Sequence, residues 1–128
     1  MIYRLDTKIE NAKIIGTKLG EDSGCLTAKI FLEGNGWQGV FGGYCIDYWY
    51  SSVGEYYSSD GYGAIIEIMK VIGVKSWEDI CDKLVRVETT GWGGRLTKIG
   101  HIYKDMWFSF DDYFNKVKEF KNGANGVH

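Results

Sequence analysis

The sequence predicts an α+β fold in one domain: about five mainly antiparallel strands in a sheet, packed by two main helices and one short helix. Three observations predict it. At 128 residues the chain suits a single domain able to bury a core without staples. Several stretches alternate apolar and polar residues with period two, and others repeat apolar residues at helical spacing. The strand-like stretches come in runs, which favours a mainly antiparallel sheet over strict βαβ alternation.

Ile9 to Leu19 is rich in β-branched residues and reads as the first strand. Gly20-Glu21-Asp22-Ser23-Gly24 has the composition of a turn. In Cys25 to Glu33, Leu26, Ala28, Ile30 and Leu32 share one face and Thr27, Lys29, Phe31 and Glu33 the other. That is a half-buried strand in a hairpin with the first. Gly34-Asn35-Gly36 turns into a third strand, Trp37 to Ile46, whose internal Gly39, Gly42 and Gly43 imply a bulge, a bend or the close approach of another group.

Asp47 to Asp60 reads as a polar-aromatic loop. Tyr62, Ile65, Ile66, Met69 and Ile72 then recur at helical spacing, with Asp60 as N-cap and Gly73 as the stop. Ser76-Trp77-Glu78-Asp79 resembles a capping box opening a short helix. Leu84 to Thr90 alternates as a strand, Gly91-Trp92-Gly93-Gly94 turns the chain, and Arg95 to Tyr103 returns as the last strand. Ser109 caps a final helix with an apolar stripe of Phe110, Tyr113, Phe114, Val117 and Phe120. The domain spans residues 1–120, and the glycine- and asparagine-rich residues 121–128 read as a flexible tail.

Charge and cysteine usage narrow the functional classes. A formal net charge of −2, with the cations spread along the chain, argues against nucleic-acid binding through a basic field. It also lacks the acidic excess of a DNA mimic. Cys25, Cys45 and Cys81 form no C-x-x-C pair and have no adjacent histidine, which reads as three reduced, mostly buried thiols. Neither a signal-peptide core nor a membrane-length apolar run is present, so the expected location is cytoplasmic, with no membrane partner. No nucleophile elbow, zincin helix, Walker loop or dinucleotide fingerprint occurs, so the expectation is a non-enzyme without cofactor or metal.

The densest chemical signal lies in Gly34 to Gly63, where eight glycines and nine aromatic rings occur without a single Lys or Arg. As a binding surface, Gln38, Phe41, Gly42, Gly43, Tyr44 and Asp47 would offer backbone amides and rings to a ligand. As scaffold, the same glycines bend a strand and the rings fill a core. Candidate cations for an anionic ligand lie on the last two strands: Arg86, Arg95, Lys98 and Lys104, with His101 among them and Trp107 as a further ring. Arg86 and Glu88 point away from the Val85–Val87 face, where they can pair. Tyr48, Trp49, Tyr50, Tyr56 and Tyr57 cannot all face one core in extended chain, so some of them suit a protein partner.

Three segments together carry a resemblance: Gln38 to Asp47 (QGVFGGYCID), Val71 to Asp79 (VIGVKSWED) and Ile99 to Phe108 (IGHIYKDMWF). In this combination the chain resembles, over roughly residues 7–115, a family of small uncharacterised phage and prophage accessory proteins. Its tyrosine-rich 48–57 loop departs from that pattern. The resemblance implies an accessory protein with no assigned activity in the cytoplasm of a bacterial host. By analogy, small phage accessory proteins often counter host defence, by sequestering a nucleotide immune signal, by blocking a defence protein in the manner of an anti-CRISPR, or occasionally by enzymatic breakdown. The leading expectation is a homo-oligomer that binds a small nucleotide-derived ligand. The alternative is a protein inhibitor acting through the exposed Tyr/Trp surface. A carbohydrate-binding module, which also uses flat rings, fits less well without a secretion signal.

Overall fold

A computed structural model describes residues 7–48, 61–90 and 95–126 of the protein. Among the described residues one antiparallel sheet holds six strands: β1 (Thr7–Asp22), β2 (Cys25–Gly34), β3 (Trp37–Tyr48), β4 (Leu84–Thr90), β5 (Arg95–His101) and β6 (Trp107–Phe108). Their order across the sheet is β3-β2-β1-β4-β5-β6. Helices α1 (Gly61–Ile72) and α2 (Phe110–Gly126) pack against it, and a 3-10 turn spans Trp77–Ile80. The sixth strand corrects the five-strand expectation. The stretch expected to run on to Tyr103 ends at His101, bends, and returns as two residues too short to show a period in sequence.

Strand β1 organises the curl of the sheet. Its first part pairs with β4, from Thr7↔Thr90 to Lys13↔Leu84. Its second part pairs with β2, from Lys13↔Glu33 to Asp22↔Cys25, across a bulge between Ile14 and Gly16. A bulge bends its strand and increases local twist. The two halves therefore turn toward each other, and β3 lies against β5 although they share no ladder. Gly39 sits at that contact, where a Cβ would lie 3.2 Å from the Leu96 side chain. The β1–β2 turn is tighter than composition suggested. Only Ser23 and Gly24 leave the strands, with φ of 53° and 84°, the paired positive values that suit a two-residue hairpin loop.

The concave face carries the core. Ile14, Ile30, Leu32, Val85, Val87 and Ile99 are fully buried, as the period-two reading of their strands requires. Phe41 meets Phe108 and Phe110 at ring-centroid distances of 6.2 and 5.4 Å, while Tyr44 packs on Phe110 at 5.1 Å. Phe110 and Tyr113 of α2 are buried, with Phe114 and Val117 half-buried beside them, so the predicted stripe holds wherever its side chains are described. Ser109 caps this helix as expected, its Oγ accepting from the Asp112 amide at 3.3 Å. The helix is described as far as Gly126.

Helix α1 is rotated from its predicted face. Gly61, Ala64, Ile68, Val71 and Ile72 are buried, whereas Tyr62 is 76 % exposed and Ile66 46 %. Small residues set the approach: a Cβ on Gly61 would come within 3.1 Å of the Ile46 carbonyl oxygen, and one on Gly63 would collide with the Tyr113 hydroxyl. A search for large apolar residues overlooks such a contact. Gly73 ends the helix as predicted, with φ 93° and its amide donating to the Met69 carbonyl at 2.8 Å. The capping box at Ser76 does not form. Its side chain makes no cap bond, and the Asp79 amide donates instead to the Ser76 carbonyl at 3.1 Å, closing a single tight turn.

The cysteines also differ from expectation. Cys25 and Cys45 are joined by a disulfide between β2 and β3, with Cα atoms 5.2 Å apart, and Cys81 is an exposed free thiol. A spacing of twenty residues carried no pairing signal, because only the hairpin register brings the two together.

Candidate functional site

The residues picked out in sequence divide between two faces of the sheet. Gln38, Phe41, Gly42, Gly43, Tyr44 and Asp47 all lie on β3. Phe41 is 1 % exposed and Tyr44 packs against Phe110 and Phe114, so these rings fill the core and Phe41 offers no face to a ligand. Gly42 and Gly43 have φ of 96° and 92° at a register shift between Thr27 and Lys29. A Cβ on Gly42 would strike the Ala28 carbonyl oxygen, and one on Gly43 would sit 3.5 Å from Lys29 Cε. The glycines thus have a bulge to form, against strand and side chain. Gln38 is exposed and pairs in register with Glu33, while Asp47 is half-buried opposite Leu26.

Lys29 supplies the cation that the β3 stretch itself lacks. Its Nζ lies 3.3 Å from Asp22 Oδ2. The Lys29 hydrogen bond, then its charge, hold the Asp22 carboxyl below its usual range. The Trp49, Tyr50, Tyr56 and Tyr57 partner surface, the Asp60 cap and the Gly91–Gly94 turn lie outside the described residues, as does the side chain of Tyr48.

Arg86 and Trp107 occupy the opposite, convex face. Cross-strand register sets Asn11, Arg86, Gly100 and Trp107 in one row. Gly100 lets the indole lie on the strand: a Cβ there would be 2.6 Å from Trp107 Cε3 and 2.7 Å from Cδ2. The Arg86 guanidinium carbon stands 4.8 Å from the ring centroid, a cation–π contact. Its Nε donates to the His101 carbonyl and its Nη2 to the Lys104 carbonyl, both at 2.7 Å. Arg86 therefore clamps the bend between β5 and β6. Its pairing with Glu88 is not seen, because Glu88 Oε2 stands 3.8 Å from Lys98 Nζ and accepts from Thr97 Oγ1 at 3.3 Å.

His101 is separated from that row by strand alternation. It shares the parity of buried Ile99, and its ring lies beside Gly73 at the end of α1. Its Nδ1 accepts from the Tyr103 and Lys104 amides at 3.2 and 3.0 Å, and the ring meets Tyr103 edge-on. This histidine organises the bend from the core side while Arg86 holds it from the other. Lys104 is exposed in the bend itself.

Next to the Arg86–Trp107 row, this face carries a small groove. Ile9, Glu88, Lys98 and Trp107 line a groove of about 210 Å³. Ile9↔Glu88 and Glu88↔Lys98 are register partners, so the groove runs across three strands toward the indole. It joins an apolar wall, a ring, an ammonium and a carboxylate. Ile9 was absent from the sequence-predicted site, Glu88 stood there only as a charge beside Arg86, and Lys98 was one of several candidate cations. Strand parity would have supplied the signal, but only with the register in hand.

Among the described residues, no group of three His, Cys, Asp or Glu side chains is placed to hold a metal ion. Nor is any helix there long and apolar enough to cross a membrane. The chain matches no protein-family model, no curated protein and no solved structure.

Proposed function

We propose that this chain is a non-catalytic binding protein that sequesters a small nucleotide-derived ligand, with the Trp107 groove as its site. The observation that carries the reading is the meeting of Ile9, Glu88, Lys98 and Trp107 around one concavity, with the indole fixed by Gly100 and Arg86. Aromatic contact with a base contributes about 1–3 kcal/mol, and Lys98 faces the same space with a cation for a phosphate. Glu88 can accept from the amino edge of a base. The setting is an anti-defence role, by analogy with the small phage accessory proteins that the sequence resembles, in the host cytoplasm, with the ligand an immune signal.

Size refines the proposal. Ligand pockets that enclose a whole small molecule usually measure about 300–1,000 Å³. At about 210 Å³ this groove takes one ring system and leaves the rest of the ligand in solvent. A two-base ligand needs two such grooves, which a symmetric homodimer supplies.

The test is thermal melting of the full chain against cyclic dinucleotides, cyclic ADP-ribose isomers and NAD. A ligand at a hundred times its Kd stabilises by about 2.7 kcal/mol, about 10 °C for a domain of this size. The expected result is a shift that Lys98→Glu abolishes, with the ligand recovered intact. A flat panel overturns the proposal and favours the protein-inhibitor reading. Turnover of excess ligand overturns its non-catalytic part.

A further inference from the structure

We propose that the Cys25–Cys45 disulfide is a thiol-exchange site, at which a small thiol or a protein dithiol opens and recloses the end of the β2–β3 hairpin. Three observations place it there. Cys45 is an exposed residue and Cys25 a half-buried one, so Cys45 is the more accessible of the two to an attacking thiolate. The ladder beside the bond is irregular, with register shifts between Leu26 and Thr27 and between Thr27 and Lys29. That end of the hairpin depends less on continuous backbone pairing than the regular Lys29–Gly34 end. Beyond the bond, Ile46 carries a carbonyl oxygen packed against Gly61. The end of β3 thus abuts the first residue of α1, and loosening one loosens the seat of the other.

The chemistry is ordinary thiol–disulfide exchange. A thiolate attacks Cys45 Sγ, a mixed disulfide forms, and the Cys25–Cys45 bond breaks. Its electron pair leaves on Cys25 Sγ, which takes a proton. A second thiolate then attacks the incoming group's sulfur in the mixed disulfide, and Cys45 leaves as a thiolate that is protonated in turn. One protein disulfide and two thiols become two protein thiols and one new disulfide, a transfer of two electrons. In the thiol-rich cytoplasm proposed above, such an exposed bond exchanges, whereas a buried structural one does not.

The experiment uses the full chain purified without reductant, glutathione redox buffers, iodoacetamide and peptide mass spectrometry. As purified, only Cys81 is expected to alkylate. As the reduced-to-oxidised glutathione ratio rises, all three cysteines become reactive, and the mixed disulfide is captured on Cys45. Amide hydrogen exchange at 44–48 and 61–63 is expected to rise about tenfold on reduction, with Val85 and Val87 unchanged. The Cys25→Ser variant should carry glutathione on Cys45 without reduction. The wild-type titration stands alone should that variant fail to fold. Three reactive thiols in the purified protein, an adduct on Cys25, or unchanged exchange at 44–48 would each overturn the proposal.

Discussion

Gly100→Ala adds a single methyl group, and the structure says where it goes. The new Cβ would stand 2.6–2.8 Å from three carbons of the Trp107 indole, far inside van der Waals contact. Neither the strand nor the ring can absorb that, because the indole also carries the Arg86 guanidinium 4.8 Å from its centroid. Two effects compete. Replacing glycine by alanine gains about 0.4–1 kcal/mol through the unfolded chain, whereas overpacking costs about 1–3 kcal/mol. Overpacking wins, for a net loss of about 1–2 kcal/mol. With an unfolding entropy of about 2.1 cal/mol/K per residue, each kcal/mol is about 4 °C in this chain, so Tm should fall by about 4–8 °C. The assay is a double-mutant cycle by thermal melting with Trp107→Ala. In the Trp107→Ala background the three nearest contacts of the new methyl are gone, and Gly100→Ala should lose most of its cost. An equal loss in both backgrounds would refute the stacked geometry on which the candidate groove rests.

Other consequences follow from the same contacts. Arg86→Lys keeps the charge but cannot reach the carbonyls of both His101 and Lys104, so it should cost about 2–3 kcal/mol and release amide protection across 101–106; full rescue by lysine would show that charge alone suffices. Ser109→Ala removes the cap of α2 and should cost about 1 kcal/mol, seen as a Tm lower by about 4 °C; an unchanged Tm would mean the cap carries nothing. Asp22 is held below its ordinary carboxylate range, chiefly by the hydrogen bond from Lys29. Its folded value lies under the unfolded one, so its contribution is full above about pH 4 and lost as pH falls through the folded value. The stability difference between wild type and Asp22→Asn should therefore shrink below about pH 4, and a difference constant with pH would contradict the pairing.

Much of the architecture was legible from period and punctuation. The inward faces of Ala28–Leu32 and Val85–Val87 follow from alternation, and the helix ends at Gly73 and Ser109 from their caps. What escaped was whatever depends on contacts between distant segments. The buried face of α1 is set by Gly61 and Ala64, small residues that carry little hydrophobic signal. The strand Trp107–Phe108 is too short for a pattern, and the disulfide is a product of hairpin register. The candidate site was half legible. Trp107 and Arg86 stood out by residue type, but the grouping of Arg86 with His101 ignored that Gly100 and His101 point to opposite faces. Ile9 and Trp107 are brought to one groove only by the strand order β1-β4-β5-β6.

The most direct test of the central claim is chemical-shift mapping of the isotope-labelled chain during titration with the ligand that gives the largest thermal shift. Saturable changes are expected, centred on the Ile9, Glu88 and Lys98 amides and the Trp107 indole N–H, with little change at Gly42 and Gly43. Changes centred on β3 instead, or no saturable change at any of these positions, would contradict the assignment of the site to the convex face.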